Sequence, residues 1–167
     1  TRLPHNEISG FLLPFHEDEV WMVLFILGRP FFMGMKRLLD LDDLFWEEGR
    51  CPVCSARPVI SSILEDGRRR LHCSYCGTTG FFKRLGCPVC GNFDIGKENI
   101  ITIEGEEDFR IEVCDECGSY VKTFREPVLR ELTPDLADLI SLPLDIIAQG
   151  RGYRRNSPNP LGMLRMA

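Results

Sequence analysis

The eight cysteines of this chain constrain its fold more than any other feature. All of them fall into four Cys-x-x-Cys pairs between positions 51 and 117. One such turn can direct two thiolates at a single ion, and two turns complete the tetrahedral four-sulfur site that zinc or a single iron prefers. The sequence therefore predicts two metal ions, iron or zinc, and eight ligands: Cys51, Cys54, Cys73, Cys76, Cys87, Cys90, Cys114 and Cys117.

The spacing between the pairs indicates which of them share an ion. Gaps of eighteen, ten and twenty-three residues separate successive pairs, so a short gap lies between two longer ones. Each longer gap has room for a β-hairpin. This spacing favours one site built from the first and second pairs and another built from the third and fourth. Interleaved pairing, as in cross-braced domains, uses the same eight ligands and is the open alternative.

Disulfide bonds are the other common use of eight cysteines. Disulfide frameworks belong to small secreted domains with irregular cysteine spacing and an export signal, and neither feature is evident in this sequence. A bridge within one Cys-x-x-Cys pair would close a very short loop, which stabilises little in the chain-entropy model. No βαβ pattern surrounds any pair, which argues against thioredoxin-like catalysis. Metal-binding thiolates predict a reducing compartment, the cytoplasm.

Catalysis at these sites is not expected. Four thiolates leave no open position for water or substrate, which argues against hydrolysis by a metal-bound water. The sequence also lacks a Gly-rich phosphate loop, a Gly-x-Ser-x-Gly elbow and a His-Glu-x-x-His helix. His72 adjoins Cys73, but eight thiols already complete two sites, so we expect a structural histidine rather than a ligand. The sequence predicts a protein that is not an enzyme.

Charge gives no overall case for a nucleic-acid partner. The net charge is −5, whereas a nucleic-acid-binding domain usually presents a basic face. Basic residues gather at Arg68–Arg70, Lys83–Arg84 and Arg154–Arg155, and we expect these clusters to be solvated. A zinc-ribbon nucleic-acid-binding module remains one alternative function. A rubredoxin-type electron carrier, which requires iron, is another.

Helices are predicted before the cysteine-rich stretch. Residues 17–27 have a helical pattern, Gly28 and Pro30 predict a break, and a second helix is expected from Pro30 to about Trp46. The apolar run Val20–Leu27 is far shorter than the roughly 20 residues that span a bilayer, so it predicts a buried helix and no membrane span.

A further helix is predicted after the cysteine-rich stretch. Thr133 is the expected N-cap and Pro134 the first helical residue, while Pro143 kinks or restarts the helix. Gly150 is the expected C-terminal cap. Residues 151–162 form a basic, Pro- and Gly-containing tail, which predicts an irregular arm.

Each pair of Cys-x-x-Cys turns encloses a predicted hairpin. The strands are expected at Val59–Leu64 and Arg69–Cys73, then at Ile100–Ile103 and Phe109–Val113, with one more at Tyr120–Phe124. The predicted fold class is α+β, with tandem rubredoxin-like or zinc-ribbon modules of short antiparallel hairpins flanked by N-terminal and C-terminal helices. The predicted domains are a helical segment at 1–48, metal modules at 49–86 and 87–126, and a helix and tail at 127–167.

The arrangement resembles that of the FdhE family of formate dehydrogenase accessory proteins, over about residues 30–163. Two positions depart from the family pattern, because Ser55 stands where glycine is usual and Gly80 stands where tryptophan is expected. The resemblance is carried by Cys51-Pro52-Val53-Cys54 with Pro58, Arg70–Thr78, Cys87–Asn92, Cys114–Cys117 with Tyr120–Thr123, Gly152–Arg155 and Asn159–Gly162.

This resemblance implies a role in enzyme assembly. Proteins of the family act in the cytoplasm on the catalytic subunit of respiratory formate dehydrogenase before its export, and iron in rubredoxin-like sites is the metal that the family implies. The chain is then expected to be a metal-binding maturation factor whose partner is that subunit. The family's helical N-terminal region is expected to be only partly represented in residues 1–48.

Overall fold

Helices flank a β-sheet in the structure, a computed structural model that describes residues 17–157 except the side chains of 17–19 and 21. The predicted α+β class is confirmed. In chain order the elements are α1 (Glu17–Leu39), β1 (Leu44–Phe45), β2 (Ile60–Ile63), β3 (Arg69–His72), β4 (Thr79–Phe82), a 3₁₀ turn (Ile95–Lys97), β5 (Glu98–Ile103), β6 (Glu106–Cys114), β7 (Ser119–Arg125), α2 (Glu126–Glu131), α3 (Pro134–Ile140) and α4 (Leu142–Gly150).

The described strands form one seven-stranded mixed sheet in the order β1-β4-β3-β2-β7-β6-β5. Strands β2, β3 and β4 form one antiparallel meander, and β5, β6 and β7 form another. Strand β2 pairs with β7 in parallel, from Ile60 opposite Lys122 to Ile63 opposite Arg125. The two predicted metal modules therefore share one sheet. Strand β4 was not predicted, since its short Thr79–Phe82 segment contains a glycine that weakens the alternating pattern.

Helices α3 and α4 pack on one face of this sheet. Leu144 and Ala148 of α4 share a buried cluster with Tyr120 of β7, while Ala137 of α3 packs with Phe124. The start of α3 follows the predicted capping, because the Thr133 hydroxyl accepts a hydrogen bond from the amide of the third helical residue. Apolar burial of this kind contributes about 25 cal/mol per Å².

A single helix replaces the two helices predicted near the N-terminus. Helix α1 continues through Gly28 and Pro30, so the predicted break is wrong, and the second predicted helix ends at Leu39 rather than near Trp46. Packing explains the continuity. The rings of Phe25 and Phe32, on either side of Pro30, lie with centroids 4.8 and 5.3 Å from the ring of Tyr75. Both halves of the helix are thus held on one surface, which offsets the hydrogen bond that proline removes.

The apolar run Val20–Leu27, predicted to be buried, is largely exposed. Phe25 is 8% exposed, whereas Leu27 is 70% exposed. An ion pair between Arg29 and Asp135 links α1 to α3. No helix among the described residues is long and apolar enough to cross a membrane.

A buried ion network joins the sheet to the C-terminal helices. The ammonium of Lys122, fully buried on β7, lies 2.6 Å from a carboxylate oxygen of Asp138 and of Asp145. Arg155 donates to both carboxylates at 2.5–3.0 Å, and the Tyr120 hydroxyl donates to Asp145 at 2.5 Å. Burial opposes ionisation of Asp138, but the Arg155 guanidinium and the Lys122 ammonium outweigh it and hold the Asp138 pKa below its ordinary value. Two cations and two anions compensate one another.

Replacing Lys122 by methionine should destabilise the fold strongly. The substitution leaves two buried carboxylates with one cation, and breaking a buried ion pair typically costs about 3–5 kcal/mol. We expect the free energy of unfolding to fall by about this amount, measured by urea denaturation of the metal-loaded protein. The control is Lys97→Met, at an exposed lysine, which should change stability by less than about 0.5 kcal/mol. Equal stability of the two variants would contradict the role given to the network.

Candidate metal centres

Site 1 consists of Cys51, Cys54, Cys73 and Cys76, whose sulfur atoms all lie within 4.8 Å of one another. The Sγ atoms of Cys51 and Cys76 are 3.4 Å apart, as are those of Cys54 and Cys73. A tetrahedral site with metal–sulfur bonds of about 2.3 Å has sulfur–sulfur edges of about 3.8 Å. A small expansion of this cluster fits a zinc or iron ion.

Site 2 consists of Cys87, Cys90, Cys114 and Cys117, again with all sulfurs within 4.8 Å. The Sγ distances are 3.7 Å from Cys87 to Cys117 and 3.8 Å from Cys90 to Cys114, close to the tetrahedral edge. The structure thus brings together the first pair with the second and the third with the fourth. The interleaved alternative is not the arrangement found.

The residue after each Cys-x-x-Cys turn adopts the left-handed conformation. Its φ is 60° at Ser55, 76° at Gly77, 77° at Gly91 and 64° at Gly118. In each turn the amide of this residue donates to the carbonyl of the first cysteine at 2.8–2.9 Å. The positive φ closes the turn, which explains glycine at three of the four positions. Ser55 has the same backbone geometry with a side chain that disfavours it.

Introducing glycine at Ser55 and removing glycine at position 77 should have different effects on stability. A non-glycine residue in the left-handed region costs about 1 kcal/mol. We expect Ser55→Gly to leave stability unchanged or to raise it by up to about 1 kcal/mol, and Gly77→Ala to lower it by about 1 kcal/mol. Apart from Gly77 and its two chain neighbours, no atom of the described residues lies within 4 Å of the position that a Cβ at Gly77 would take, so that substitution measures the backbone alone. Thermal denaturation of the metal-loaded variants is the measurement, and shifts of the same sign would contradict the explanation.

Burial opposes ionisation of the Cys87 thiol of site 2. It raises the pKa of the Cys87 thiol above its ordinary value. A cation must therefore displace a proton to bind there, so its affinity falls as the pH falls. The donors that approach the sulfurs include the Thr78 hydroxyl, 3.0 Å from Cys76 Sγ, and the Val89 amide, which donates to Cys87 Sγ at 3.4 Å. Such hydrogen bonds stabilise the thiolate form that binds a metal.

His72 has a partner outside the sulfur clusters. Its Nε2 lies 2.9 Å from the Ser62 hydroxyl on the neighbouring strand. Burial, with a smaller effect from the nearby cation Arg70, lowers the His72 pKa to about 3, so the ring is neutral at pH 7. This placement is that of a structural histidine.

Arginines of two basic clusters pair with carboxylates of the protein, whereas Lys83 and Arg84 are exposed. Arg69 is only 3% exposed and pairs with Glu112 at 2.6 Å, so the expectation that this cluster is solvated is wrong for Arg69. It is also wrong for Arg155, which lies in the buried network. Arg68 pairs with Asp66 and Arg70 with Asp43, at 2.6 and 3.0 Å. These partners of Arg69, Arg70 and Arg155 are distant in sequence, which is why a linear pattern did not reveal them.

The C-terminal arm, residues 151–157, contacts one turn of each metal site. At site 2 the Tyr153 hydroxyl donates to Asp115 at 2.7 Å, and the Arg154 side chain donates to the Cys117 carbonyl at 3.0 Å. At site 1 the Ser157 hydroxyl lies 3.3 Å from the Ser74 hydroxyl. The sequence indicated an irregular basic arm here but not its position. Tail residues 158–162 lie outside the described part of the chain.

Comparison with known proteins identifies the family. The protein-family model of the FdhE central domain matches residues 50–84, and the protein-family model of the FdhE C-terminal domain matches residues 86–162. A protein FdhE homolog from Aquifex aeolicus is 34% identical over 162 residues, which is 93% of this chain and 56% of that protein. Protein FdhE from Escherichia coli O1:K1 is 35% identical over 117 residues, 66% of this chain and 36% of that one.

A solved structure gives the same answer. The crystal structure of the FdhE protein from Pseudomonas aeruginosa superposes with a TM-score of 0.60 at 30% identity, and covers 68% of this chain and 41% of that one. The fold and sites define an α+β protein with two four-cysteine clusters that can each hold a metal ion. Within that class, the chain belongs to the FdhE family, as the resemblance predicted. It spans about a third to a little over half of the length of these relatives.

We expect each chain to bind two metal ions through the eight cysteines. Cys114→Ser should reduce the content to one ion, because three thiolates hold the ion of site 2 less tightly. His72→Gln is the matched control, since it changes the residue next to a cysteine and should retain both ions. Elemental analysis of anaerobically purified protein gives the count, and the visible spectrum distinguishes thiolate-bound iron from zinc. Two ions in the Cys114→Ser variant would contradict the assignment.

Proposed function

We propose that this protein is a metal-binding maturation factor that binds the catalytic subunit of formate dehydrogenase during its assembly in the cytoplasm. The observation that carries the proposal is membership of the FdhE family combined with two complete four-cysteine clusters. A family member that lacked some of these cysteines would give the metal-binding part of the proposal far less support. All eight cysteines are proposed as ligands, and the metal is iron or zinc.

The chemistry of the sites supports a role other than catalysis. A centre closed by four thiolates cannot bind a substrate at the ion, so the ions would hold the fold or exchange electrons. The protein is therefore proposed to act as an accessory factor. The predicted division into segments 1–48, 49–86, 87–126 and 127–167 remains part of this proposal, with the two central segments carrying the ions and the outer ones contacting the partner.

Helix α1 offers a surface for that partner. Exposed apolar side chains on a protein surface often mark an interaction site. Leu27 and Phe31 are 70% and 65% exposed, one turn apart on the helix. We propose that the catalytic subunit contacts this helix, whose exposed apolar residues also include Val23, Ile26 and Leu38.

The pairing of several arginines argues against the alternative of nucleic-acid binding. That alternative is supported by the paired ribbons and the arginine clusters. Arg69 and Arg155, however, pair with carboxylates inside the fold, and Arg70 pairs with Asp43 at the surface. A protein that binds phosphates presents unpaired cations to them. The electron-carrier alternative depends on iron and on a reversible couple, which the visible spectrum and a redox titration measure.

Co-purification tests the proposed partner. A tagged chain should retain the formate dehydrogenase catalytic subunit, and Leu27→Glu should reduce the retained amount at least tenfold, because it buries a charge in an apolar contact. Ile100→Glu is the control, at a 56% exposed apolar residue on β5 in a central segment, and should leave co-purification unchanged.

Metal dependence is tested in the same experiment. Cys87→Ser and Cys114→Ser should also lose the subunit, since they disrupt site 2. Circular dichroism and size-exclusion chromatography establish whether each variant remains folded and monodisperse. Unaltered folding and binding in both cysteine variants would refute the metal-dependent part of the proposal, and full binding by Leu27→Glu would refute the assigned surface.

A further inference from the structure

The two metal centres differ in how far the protein covers their sulfurs. In site 1, three of the four cysteines are at most 2% exposed, and the fourth, Cys54, is partly buried. In site 2, Cys117 is partly buried and Cys90 is exposed to solvent. One corner of the site 2 tetrahedron is therefore open, whereas no corner of site 1 is exposed to this degree.

Site 1 is also covered by more apolar side chains than site 2. The cysteines of site 1 lie in a buried cluster with Trp46, Leu71 and Phe82, and Phe32 and Met35 of α1 pack against it. In the described part of the chain, the corresponding buried cluster at site 2 contains two apolar side chains besides the cysteines, Val89 and Val121. Opening site 1 would expose far more apolar surface than opening site 2.

The two turns of site 2 are also held differently. The Cys114–Cys117 turn connects β6 to β7, and the arm binds it through Tyr153 and Arg154. The Cys87–Cys90 turn lies in the connection between β4 and β5, outside any strand. Its second cysteine, Cys90, can move without breaking a hydrogen bond of the sheet.

Ligand exchange at a four-thiolate centre depends on such an opening. The ion has no vacant position, so an incoming ligand must displace one thiolate before it can remove the ion. The rate then follows the accessibility of that corner and the free energy of local opening, which differs between regions of one protein.

We infer that site 2 is the exchangeable metal centre of this protein and that site 1 is its fixed centre. The ion of site 2 passes to and from soluble chelating molecules through the corner at Cys90, while the ion of site 1 stays with the folded core. This inference rests on the proposed metal-binding role. It implies that the availability of metal regulates the protein through one of the two centres, site 2.

Chelator competition on the zinc-loaded chain tests the inference. With excess of the chromogenic chelator 4-(2-pyridylazo)resorcinol, we expect two phases of one ion each, with rates that differ at least tenfold. Iodoacetamide labelling followed by peptide mass spectrometry locates the fast phase: the thiolate displaces iodide, and Cys90 should be labelled first. A single rate for both ions, or earlier labelling of Cys54, would overturn the inference.

Two substitutions on helix α1 provide matched variants. Phe32→Ala removes part of the cover of site 1 and should accelerate the slow phase at least threefold without changing the fast one. Leu39→Ala, at a 46% exposed residue at the end of the same helix, should change neither phase. Acceleration of the fast phase by Phe32→Ala would show that the phases are assigned to the wrong centres.

The measurement separates this inference from the proposed function. It uses no formate dehydrogenase, so a failure of co-purification leaves the exchange result intact. A chain that takes up neither zinc nor iron would overturn both proposals. Two ions released at one rate, with co-purification retained, would overturn the inference alone.

Discussion

The parallel pairing of β2 with β7 is the interaction on which the arrangement of both metal centres depends. Strand β2 follows the first cysteine turn of site 1, and β7 follows the second turn of site 2. Because the two strands run in the same direction from Ile60 opposite Lys122, both centres lie at the same end of the sheet. The Ser61 and Thr123 hydroxyls, 2.7 Å apart, add a buried hydrogen bond across this junction.

The ion network strengthens the same junction. Lys122 stands on β7, opposite Ile60, while its partners Asp138 and Asp145 come from α3 and α4 and Arg155 comes from the arm. An apolar core of equal volume would often be as stable as a buried ion network. Charged partners with fixed geometry instead favour one register of sheet, helices and arm, which is a known use of buried polar groups. We interpret the network as the element that selects this packing.

Local chemistry was predictable from the sequence, and long-range partners were not. Cysteine spacing predicted both hairpins and the sequential clustering, and Thr133 predicted the start of α3, because each depends on neighbours in the chain. The continuation of α1 through Pro30 depends on Tyr75, 45 positions away, and no local pattern contains it. Gly80 has a similar explanation: a Cβ there would lie 1.9 Å from Trp46 Nε1, so the indole fills the space that a side chain would need.

The arm connects these observations, since it reaches both centres at the sheet end that the β2–β7 pairing defines. Its backbone pairs with the residue after site 2, where Arg154 donates to the Gly118 carbonyl at 2.7 Å. One residue further, Arg155 enters the buried network, and Ser157 meets the site 1 turn at Ser74. A displacement of the Cys114–Cys117 turn would therefore disturb the contacts of the arm, which also position the ion network and site 1. The arm thus has a physical role, because it holds the two metal centres in a fixed position relative to each other.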